Sequence, residues 1–440
     1  KSNYPELRFK NILIEGANAQ QQAYIKKEFH ASDDKEFTYE DVKRGYFRLL
    51  SGNMISEIIP HAVFNPEDDT YDLHLKVKLE DNISVRIGGN VSTTSSNQIY
   101  LGLSYQNLNY NAKEFTFDGQ LGKIYNNVQW LGQRDFVTSI PTSYRLIASI
   151  STFDYFKKEK LFSRNDKPAF NQKDERFVKL KVGLPFLSNK RAEFGVGAAK
   201  IQDRYFQKNV IDFDKDKYDK STYSLFGGSI SFNGSTLNSR QFPTQGAHEE
   251  LVAQIFTGKE CFYPGESSDN KKASEERHSW LQLSYMKEKY HRMAEHWTLG
   301  WYLKALYSSR NFSENYTATM MQAGEFAPTA HGQLMYNEAF RANQFVGVGV
   351  RPIYRFNQMF HVRGEFYGFM PIFPIERNSI NKAYYGKAFS RFEYLGEVSV
   401  VCQLPFGAIS AYVNHYSSPK REWNVGLTLG WQLFNYRFFE

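Results

Sequence analysis

The sequence contains no long apolar run and very little cysteine. No stretch of roughly 18 or more apolar residues occurs, which excludes transmembrane helices. Cys261 and Cys402 are too few for a disulfide framework and lack the spacing of metal ligands, so we expect two isolated thiols. No signal peptide precedes Lys1, and we therefore expect a processed or truncated chain.

The usual signatures of catalysis and of nucleotide or metal binding are also missing from the sequence. Segment 227–231 (GGSIS) fails the Gly-x-Ser-x-Gly pattern of a nucleophile elbow at its last position. His278, His291 and His296 lie near one another in sequence, but no carboxylate or cysteine pattern accompanies them. No phosphate-binding loop or nucleic-acid module is present. We therefore expect no enzymatic activity, no metal, no cofactor and no nucleic-acid partner.

Aromatic residues, in contrast, are abundant. They make up 16% of the 440 residues, with 37 Phe and 29 Tyr. Charged residues account for 23% and mean hydropathy is -0.55, values that taken alone indicate a soluble protein. A membrane barrel has a similar average, because only every second residue meets lipid while the others line the lumen. Since transmembrane helices are excluded, a closed β-barrel is the remaining way to span a membrane.

Residues 1–82 are predicted to form a small β-α-α-β-β domain. Gly16 closes the first strand, and Thr38 with Asp41 has the spacing of a capping box at the start of the second helix. The predicted elements are a strand at 7–15, a helix at 20–29, a helix after 38, and a hairpin of 55–64 with 70–79. A plain α+β spacer is the alternative interpretation.

Residues 83–440 alternate between apolar and polar side chains with a period of two. Val398 and Val400 face one way, whereas Glu397 and Ser399 face the other, and the last predicted strand, 423–434, alternates in the same manner. The segments have the length that a tilted strand needs to cross a bilayer. About sixteen strands are predicted, beginning near 84, 98, 113, 126, 143, 176, 191, 221, 247, 278, 296, 345, 359, 389, 407 and 422. A soluble sandwich has the same period but shorter strands.

The connections between these strands alternate between short and long. Short turns of a bacterial barrel lie on the periplasmic side and long loops outside. The N-terminal domain joins the first strand without a linker, which places it in the periplasm. We therefore expect an all-β barrel of the bacterial outer membrane in contact with lipid and lipopolysaccharide. The charged runs 157–160 and 212–220 are predicted to be solvated outer loops, with lipopolysaccharide contact as the alternative.

One turn carries a recognisable motif. Segment 238–246 (NSRQFPTQG), before the ninth predicted strand, resembles the Asn-to-Phe-Pro-Thr-x-Gly signature of the bacterial surface antigen superfamily, which holds BamA, TamA and two-partner secretion transporters. The matching residues are Asn238, Phe242, Pro243, Thr244 and Gly246. Pro243 and Gly246 are expected to fix a turn on the periplasmic rim, and an ordinary tight turn is the alternative.

A second motif lies at the end of the longest loop. In this superfamily loop six folds into the lumen and carries a Val-Arg-Gly-Phe/Tyr motif, which segment 340–344 (FRANQ) resembles in position. Phe340 and Ala342 depart from the motif, so only Arg341 carries over. The resemblance therefore implies a lumen-folded loop at 309–344.

An arginine drawn into a barrel needs a carboxylate, because an unpaired buried charge costs several kcal/mol. Glu365 is the first candidate partner of Arg341, and Glu393 is the second. Glu397 also lies on a polar strand face. An arginine exposed on the loop surface is the alternative.

The N-terminal domain resembles a POTRA domain, which binds clients by adding an extended strand to its sheet edge. A single POTRA before a sixteen-strand barrel is most similar to the C-terminal half of patatin-like phospholipase autotransporters of the Bacteroidetes kind, a type V secretion arrangement in which a lipase comes first. The ending Phe438-Phe439-Glu440 departs from the many bacterial barrels that end on an aromatic residue.

The resemblance implies protein transport: a client docks on the POTRA edge, and the seam between first and last strands opens sideways. Glycines are expected to loosen pairing at that seam, namely Gly88, Gly89, Gly426 and Gly430. In a patatin-type parent the client would be the upstream lipase. A passive membrane anchor or plugged pore is the alternative. We expect a monomeric barrel, with a dimer as the other option.

Overall fold

A computed structural model describes most of the chain. The described residues are 8–29, 36–51, 54–67, 69–94, 96–137, 142–155, 170–186, 190–207, 217–266, 268, 270–405, 407–418, 423–432 and 435–439, except for the side chains of 44, 47, 48, 50 and 51. The predicted loop run 157–160, the part 212–216 of the other run, and positions 7, 433, 434 and 440 lie outside them.

The N-terminal unit is a four-stranded sheet with two helices. Its elements are β1 Arg8–Glu15, α1 Ala19–Glu28, β2 Phe37–Thr38, α2 Tyr39–Ser51, β3 Ile55–Asn65 and β4 Thr70–Leu79. They follow the predicted order, with the two-residue strand β2 added. The sheet order is β2-β1-β4-β3, with β1 parallel to β4, so that β3 forms one edge.

Local sequence sets the start of each helix. Asn18 begins α1 with a reciprocal capping box, in which its side chain accepts from the backbone N–H of Gln21 and its own N–H donates to the Gln21 side chain. At α2 the predicted pair is confirmed, since Thr38 Oγ1 accepts from the Asp41 N–H at 3.3 Å and the Thr38 N–H donates back at 2.9 Å.

The core of the N-terminal unit extends onto the end of the barrel that carries the short turns. Ile25 and Phe29 are fully buried between the helices and the sheet. Leu108, Ala112 and Val137, at the short-turn ends of barrel strands, belong to the same apolar cluster. The unit therefore packs against the barrel, and apolar burial stabilises its placement.

The rest of the described chain forms a closed antiparallel barrel of sixteen strands, as predicted. The strands are β5 Ile83–Ser92, β6 Gln98–Leu108, β7 Ala112–Gly122, β8 Tyr125–Phe136, β9 Thr142–Tyr155, β10 Asn171–Phe186, β11 Lys190–Tyr205, β12 Asp219–Ser235, β13 Gly246–Tyr263, β14 Ser274–Arg292, β15 Trp297–Ser308, β18 Gln344–Arg355, β19 Phe360–Pro371, β22 Glu393–Leu404, β23 Gly407–Tyr416 and β24 Trp423–Gly430. Shorter elements lie in two loops: α3 Tyr316–Gln322, β16 Gly324–Glu325, β17 Arg341–Ala342, β20 Ile375–Arg377 and β21 Ala383–Tyr385.

The alternating pattern separates an apolar outer face from a buried inner face. On β22, Val398 is 49% exposed on the outside, whereas Glu397 and Ser399 are 1% exposed inside. The outward side chains of neighbouring strands, such as Ile99 and Leu121, form an apolar belt suited to hydrocarbon. Among the described residues, no helix has the length and apolar character that a membrane crossing needs.

The last strand is shorter than predicted. The alternation indicated a strand at 423–434, but β24 ends at Gly430, which has a φ of +116°. The N–H of Gln432 donates to the side chain of Gln241 on the inner side of the barrel, at 3.4 Å. The regular ladder of β24 therefore ends at Gly430, before the predicted end.

Gly16 supplies a test of the N-terminal unit. Its φ is +87°, and an added Cβ would lie 2.1 Å from the Val77 carbonyl oxygen. Gly16→Ala is expected to lower the unfolding free energy of the unit by about 1–3 kcal/mol, because alanine strains this backbone conformation. Faster trypsin cleavage of the N-terminal unit in the refolded chain would report it. Gln20→Ala, at an exposed helix position, is the control, and equal cleavage of the two variants would contradict the expectation.

Candidate functional site: three lumen inserts and a short seam

Three parts of the chain besides the wall lie in the lumen. We call them loop six (309–343, between β15 and β18), the rim turn (236–245, between β12 and β13) and the lumen segment (435–439, after β24). Each buries an aromatic side chain against inward wall residues, namely Phe340, Phe242 and Phe438, with exposures of 1%, 4% and 1%. The described lumen is therefore filled by protein rather than lined as a wide channel.

Loop six is shaped by its own hydrogen bonds. The Asn315 side chain begins α3 by accepting from the Ala318 N–H at 2.9 Å. Farther along, β16 pairs with β17, with Glu325 opposite Arg341. This small ladder joins residues 324–325 to residues 341–342, and buried His331 lies between these two strands in the sequence. The superfamily resemblance predicted such an inward fold for 309–344.

Arg341 is buried, but its partner differs from the predicted one. Its Nη2 lies 2.9 Å from Glu325 Oε1, its Nη1 donates to the Ala323 carbonyl at 3.4 Å, and its guanidinium lies 4.7 Å from the Tyr336 ring centre. Burial lowers the pKa of Arg341, but the Glu325 carboxylate together with Tyr336 and Tyr155 outweighs burial, and the pKa is raised. The Arg341–Glu365 pairing was therefore wrong, because the β16–β17 ladder supplies a carboxylate within the loop.

Glu365 instead belongs to an ionic network of the wall. Its carboxylate lies 2.6 Å from Arg363 Nε and 3.6 Å from Arg351 Nε, and it accepts from the Tyr367 hydroxyl at 2.5 Å. Arg351 also pairs with Glu288. The network contacts loop six through Arg351, whose Nη2 donates to the Pro328 carbonyl at 3.2 Å, and Arg341 is not among the partners of Glu365.

Glu393, the second candidate, is also occupied by neighbours other than Arg341. Arg391 Nε donates to the Glu393 carboxylate at 2.8 Å, and the Ser417 hydroxyl donates to the same carboxylate at 2.5 Å. Both partners lie at the long-loop end of β22 and β23. The prediction for Glu393 as a partner of Arg341 was therefore wrong as well.

Glu397 does contact loop six, through His331. His331 Nδ1 lies 2.7 Å from Glu397 Oε1, and both side chains are 1% exposed. The imidazole stacks on the Tyr412 ring at 3.6 Å with an interplanar angle of 15°. A single histidine in a loop carries no sequence signal of this role, so sequence reasoning missed His331, one of several loop-six residues that bind the wall; Asn315 and Gln322, which contact Tyr205 and Asp203 of β11, are others.

The rim turn is clamped by its first motif residue. The Asn238 side-chain oxygen accepts from the backbone N–H groups of Thr244 and Gln245 at 3.0 Å each, and its amide donates to Thr244 Oγ1 at 3.1 Å. Gly246 has a φ of +92°, and a Cβ there would lie 2.0 Å from the Thr236 carbonyl oxygen. The motif residues thus fix the shape of the turn together.

The rim turn also reaches into the lumen, beyond the predicted rim position. Phe242, with a φ of +56°, packs with Val401 and Ala408, and its ring centre lies 5.8 Å from that of His331. The Pro243 carbonyl accepts from Arg363 Nη1 at 3.3 Å. The motif therefore connects the ninth barrel strand to loop six and to the facing wall.

The seam between β24 and β5 is the shortest ladder of the barrel. It has three residue pairs, Thr428 with Ser92, Leu429 with Val91 and Gly430 with Asn90, whereas all other neighbouring barrel strands share eight or more. Two more backbone bonds cross it, from the Trp431 N–H to the Gly89 carbonyl at 2.8 Å and from the Thr93 N–H to the Leu427 carbonyl at 3.0 Å. No described residue pairs with 83–88 on the seam side.

The four predicted seam glycines have different roles. A Cβ at Gly430 would lie 2.0 Å from the Gly89 carbonyl oxygen, so Gly430 permits the close approach at the seam. Gly89 has a φ of +149°, and a Cβ there would lie 2.2 Å from the Gln98 carbonyl oxygen on β6. A Cβ at Gly426 would lie 2.5 Å from the Tyr412 ring, so this glycine makes room for the ring that supports His331. Gly88 meets its neighbour Tyr100 at an ordinary 3.9 Å. The loosening role expected of the four glycines stays a prediction.

A chain of polar contacts joins loop six to the seam. His331 Nε2 lies 3.1 Å from Ser410 Oγ on β23, and Ser410 Oγ lies 2.6 Å from Thr428 Oγ1 on β24. Thr428 is one of the three seam residues that pair with β5. The imidazole is therefore two hydrogen bonds away from the closing ladder.

Fold and site together define a class: sixteen-strand barrels with an inward-folded loop and a short seam between first and last strands. No protein-family model and no curated protein matches this sequence. Among solved structures, the chain is similar to BamA from Haemophilus ducreyi lacking POTRA domains 1-3, with a TM-score of 0.59, 13% identity, and coverage of 96% of this chain and 84% of that one.

Two CdiB structures are also similar to the chain. CdiB from Escherichia coli has a TM-score of 0.55 at 10% identity, covering 97% of this chain and 76% of that one. CdiB from Acinetobacter baumannii has a TM-score of 0.54 at 8% identity, with coverages of 97% and 74%. At these identities the likeness shows the fold, which is the barrel fold of BamA and CdiB.

His331→Ala tests the contact between loop six and the wall. The variant removes a partner of buried Glu397, so we expect the unfolding free energy of the barrel to fall by roughly 1–3 kcal/mol. The urea midpoint of the refolded barrel, read from its heat-modifiable gel mobility, measures this change. His291→Ala, at an exposed position, is the matched control. Equal midpoints for the two variants would show that His331 does not hold the loop.

Proposed function

We propose that this chain is an outer-membrane protein of the BamA-type superfamily that inserts or translocates polypeptides. The observation that carries the proposal is the seam, where three residue pairs close a barrel whose other ladders have eight or more. A strand edge without partners is a template on which another strand can add. The fold shared with BamA and CdiB supports the same proposal.

The favourable free energy of client binding is proposed to come from the lower half of β5, by which we mean the half nearest the short turns. Its outward side chains Ile83, Val85 and Ile87 are 69%, 59% and 81% exposed. Inside hydrocarbon, an unsatisfied backbone group costs several kcal/mol. An extended client strand would supply the missing hydrogen bonds, and it could then leave sideways into the membrane.

The N-terminal unit is proposed to be a periplasmic POTRA domain that captures clients. Its position at the short-turn end and its strand order support this assignment. The edge strand β3 carries exposed Ile59, Val63 and Phe64, which suit addition of an extended apolar segment. We further propose that the barrel acts as a monomer in contact with lipid and lipopolysaccharide, supported by its apolar belt, and that it has no catalytic role.

An upstream patatin-like lipase is one proposed client. The sequence resemblance to patatin-type autotransporters supports it, and the barrel would then export a domain of its own chain. The rival function is a passive anchor or plugged pore, which has the same barrel but a seam that stays closed.

A disulfide across the seam separates these functions. Val91 and Leu429 are register partners, at a spacing that a disulfide can bridge. In a Cys261→Ser, Cys402→Ser background, oxidised Val91→Cys/Leu429→Cys protein is expected to lose acceleration of client-barrel insertion into proteoliposomes, and reduction is expected to restore it. A matched disulfide between Ile99→Cys and Leu121→Cys, partners on β6 and β7, should leave insertion unchanged.

Two results would count against the proposal. Full insertion activity with the seam disulfide completely formed would exclude lateral opening. No acceleration by the unmodified chain with any client barrel or exported domain would favour the anchor.

Lysines on the β3 edge test the POTRA assignment. Ile59→Lys with Val63→Lys places charge where an added strand would lie, so we expect affinity for an extended client peptide to fall about tenfold, which corresponds to ~1.4 kcal/mol. Fluorescence anisotropy with a labelled client strand measures the affinity. Gln20→Lys, at an exposed position of helix α1 away from either sheet edge, is the control. Equal affinities for both variants would remove the edge as the docking site.

A further inference from the structure

The lumen segment 435–439 lies in a site formed by inward side chains of the wall strands β8 and β10. The Asn435 side chain donates to Asn127 Oδ1 at 2.5 Å, and the Tyr436 N–H donates to Gln129 Oε1 at 3.1 Å. The Phe438 N–H donates to Glu175 Oε1 at 2.8 Å. The three wall side chains are 2%, 3% and 4% exposed. Each is thus a buried polar group that the segment satisfies.

An apolar pocket receives the two phenylalanines. The Phe438 ring centre lies 6.1 Å from that of Phe177 and 5.6 Å from that of Phe256, while Phe439 packs edge-on to Phe256 at 5.1 Å. A Cβ at Gly227 would lie 2.5 Å from the Phe256 ring, so a glycine in the wall makes room for the ring that supports Phe438. Lys179 Nζ adds a hydrogen bond to the Arg437 carbonyl at 2.9 Å.

The sequence independently favours this placement over a longer strand. Through position 433 the odd-numbered residues of the predicted last strand are apolar, and Leu427 and Leu429 of β24 face outward. After 433 the pattern reverses, because Phe434, Tyr436 and Phe438 are even-numbered whereas Asn435 and Arg437 are odd-numbered. A continued strand would turn the amide and the guanidinium toward lipid, where polar groups are disfavoured.

The register of the seam shows which β5 residues the segment would pair with if β24 continued. Each step along β24 is matched by one step back along β5, so a continued ladder would place Asn435 opposite Val85 and Arg437 opposite Ile83. The lumen site and this ladder therefore compete for the same residues. While Asn435 contacts Asn127, it cannot pair with the lower half of β5.

We propose that Asn127, Gln129, Glu175, Lys179 and the Phe177–Phe256 pocket form a peptide-binding seat whose ligand is the chain's own segment 435–439. Occupation of the seat closes the lumen and at the same time keeps Asn435 and Arg437 away from Val85 and Ile83 of β5. This goes beyond the proposed function, because the seat would act in the same way in a barrel that merely anchors.

Cysteine crosslinking tests where the segment lies. In the full chain with Cys261→Ser and Cys402→Ser, Asn435→Cys is combined either with Asn127→Cys or with Val85→Cys, so that both arms share one segment cysteine. Oxidation is expected to crosslink the Asn127→Cys pair and not the Val85→Cys pair. Failure of the Asn127→Cys pair to crosslink, under conditions in which the Ile99→Cys/Leu121→Cys control does, would overturn the seat.

Conductance tests what the segment closes. Phe438→Ala is expected to raise the ionic current through the full chain in planar bilayers several-fold, whereas Phe226→Ala, at a lipid-facing phenylalanine, should leave it unchanged. Glu175→Ala removes the acceptor of the Phe438 N–H from the wall side, and it replaces Phe438→Ala if that variant does not fold. Unchanged current in the folded variant would overturn the closing role. Neither readout depends on client insertion, so the seat and the proposed function can fail separately.

Discussion

Every backbone N–H and C=O group inside hydrocarbon needs a hydrogen-bond partner, and this requirement governs the whole barrel. Fifteen junctions between neighbouring strands meet it with ladders of eight pairs or more, whereas the junction of β24 with β5 has three. The cost of incomplete pairing is thus concentrated at one place. Because unpaired backbone groups in hydrocarbon are costly, an added strand would stabilise this junction, and the proposed role in handling polypeptides rests on that argument.

The filled lumen imposes a second requirement: buried charged side chains inside the barrel need partners as well. Inward polar side chains of a wide pore would be hydrated, but here loop six, the rim turn and the lumen segment displace that water. Each buried charge discussed above consequently has a partner close to it in the fold: Arg341 has Glu325, Glu365 has Arg363, and Glu397 has His331. The inserts are therefore parts of the folded barrel rather than loose plugs.

The wall could be predicted from the sequence, because a period of two is local information. The faces of Val398 and Glu397 follow from parity, and so do the sixteen strands. Partners across the lumen could not be predicted in this way. Parity places Glu365 inside, but it does not give height or direction around the barrel, and the carboxylate nearest to Arg341 comes from its own loop. The early end of β24 had a signal in the reversed alternation of Phe434, Tyr436 and Phe438, which the regular pattern before it obscured.

Two side-chain contacts of loop six, those of Arg341 and His331, have different structural roles. Arg341 binds Glu325 and the Ala323 carbonyl within the loop, so it fixes the shape of the loop without fixing its place. His331 binds β22 and β23 and stacks on Tyr412, so it fixes the place. Ser410 carries that attachment to Thr428 of the seam. A displacement of β24 therefore disturbs the site that holds loop six, and this physical link between seam and lumen needs no change in the rest of the wall.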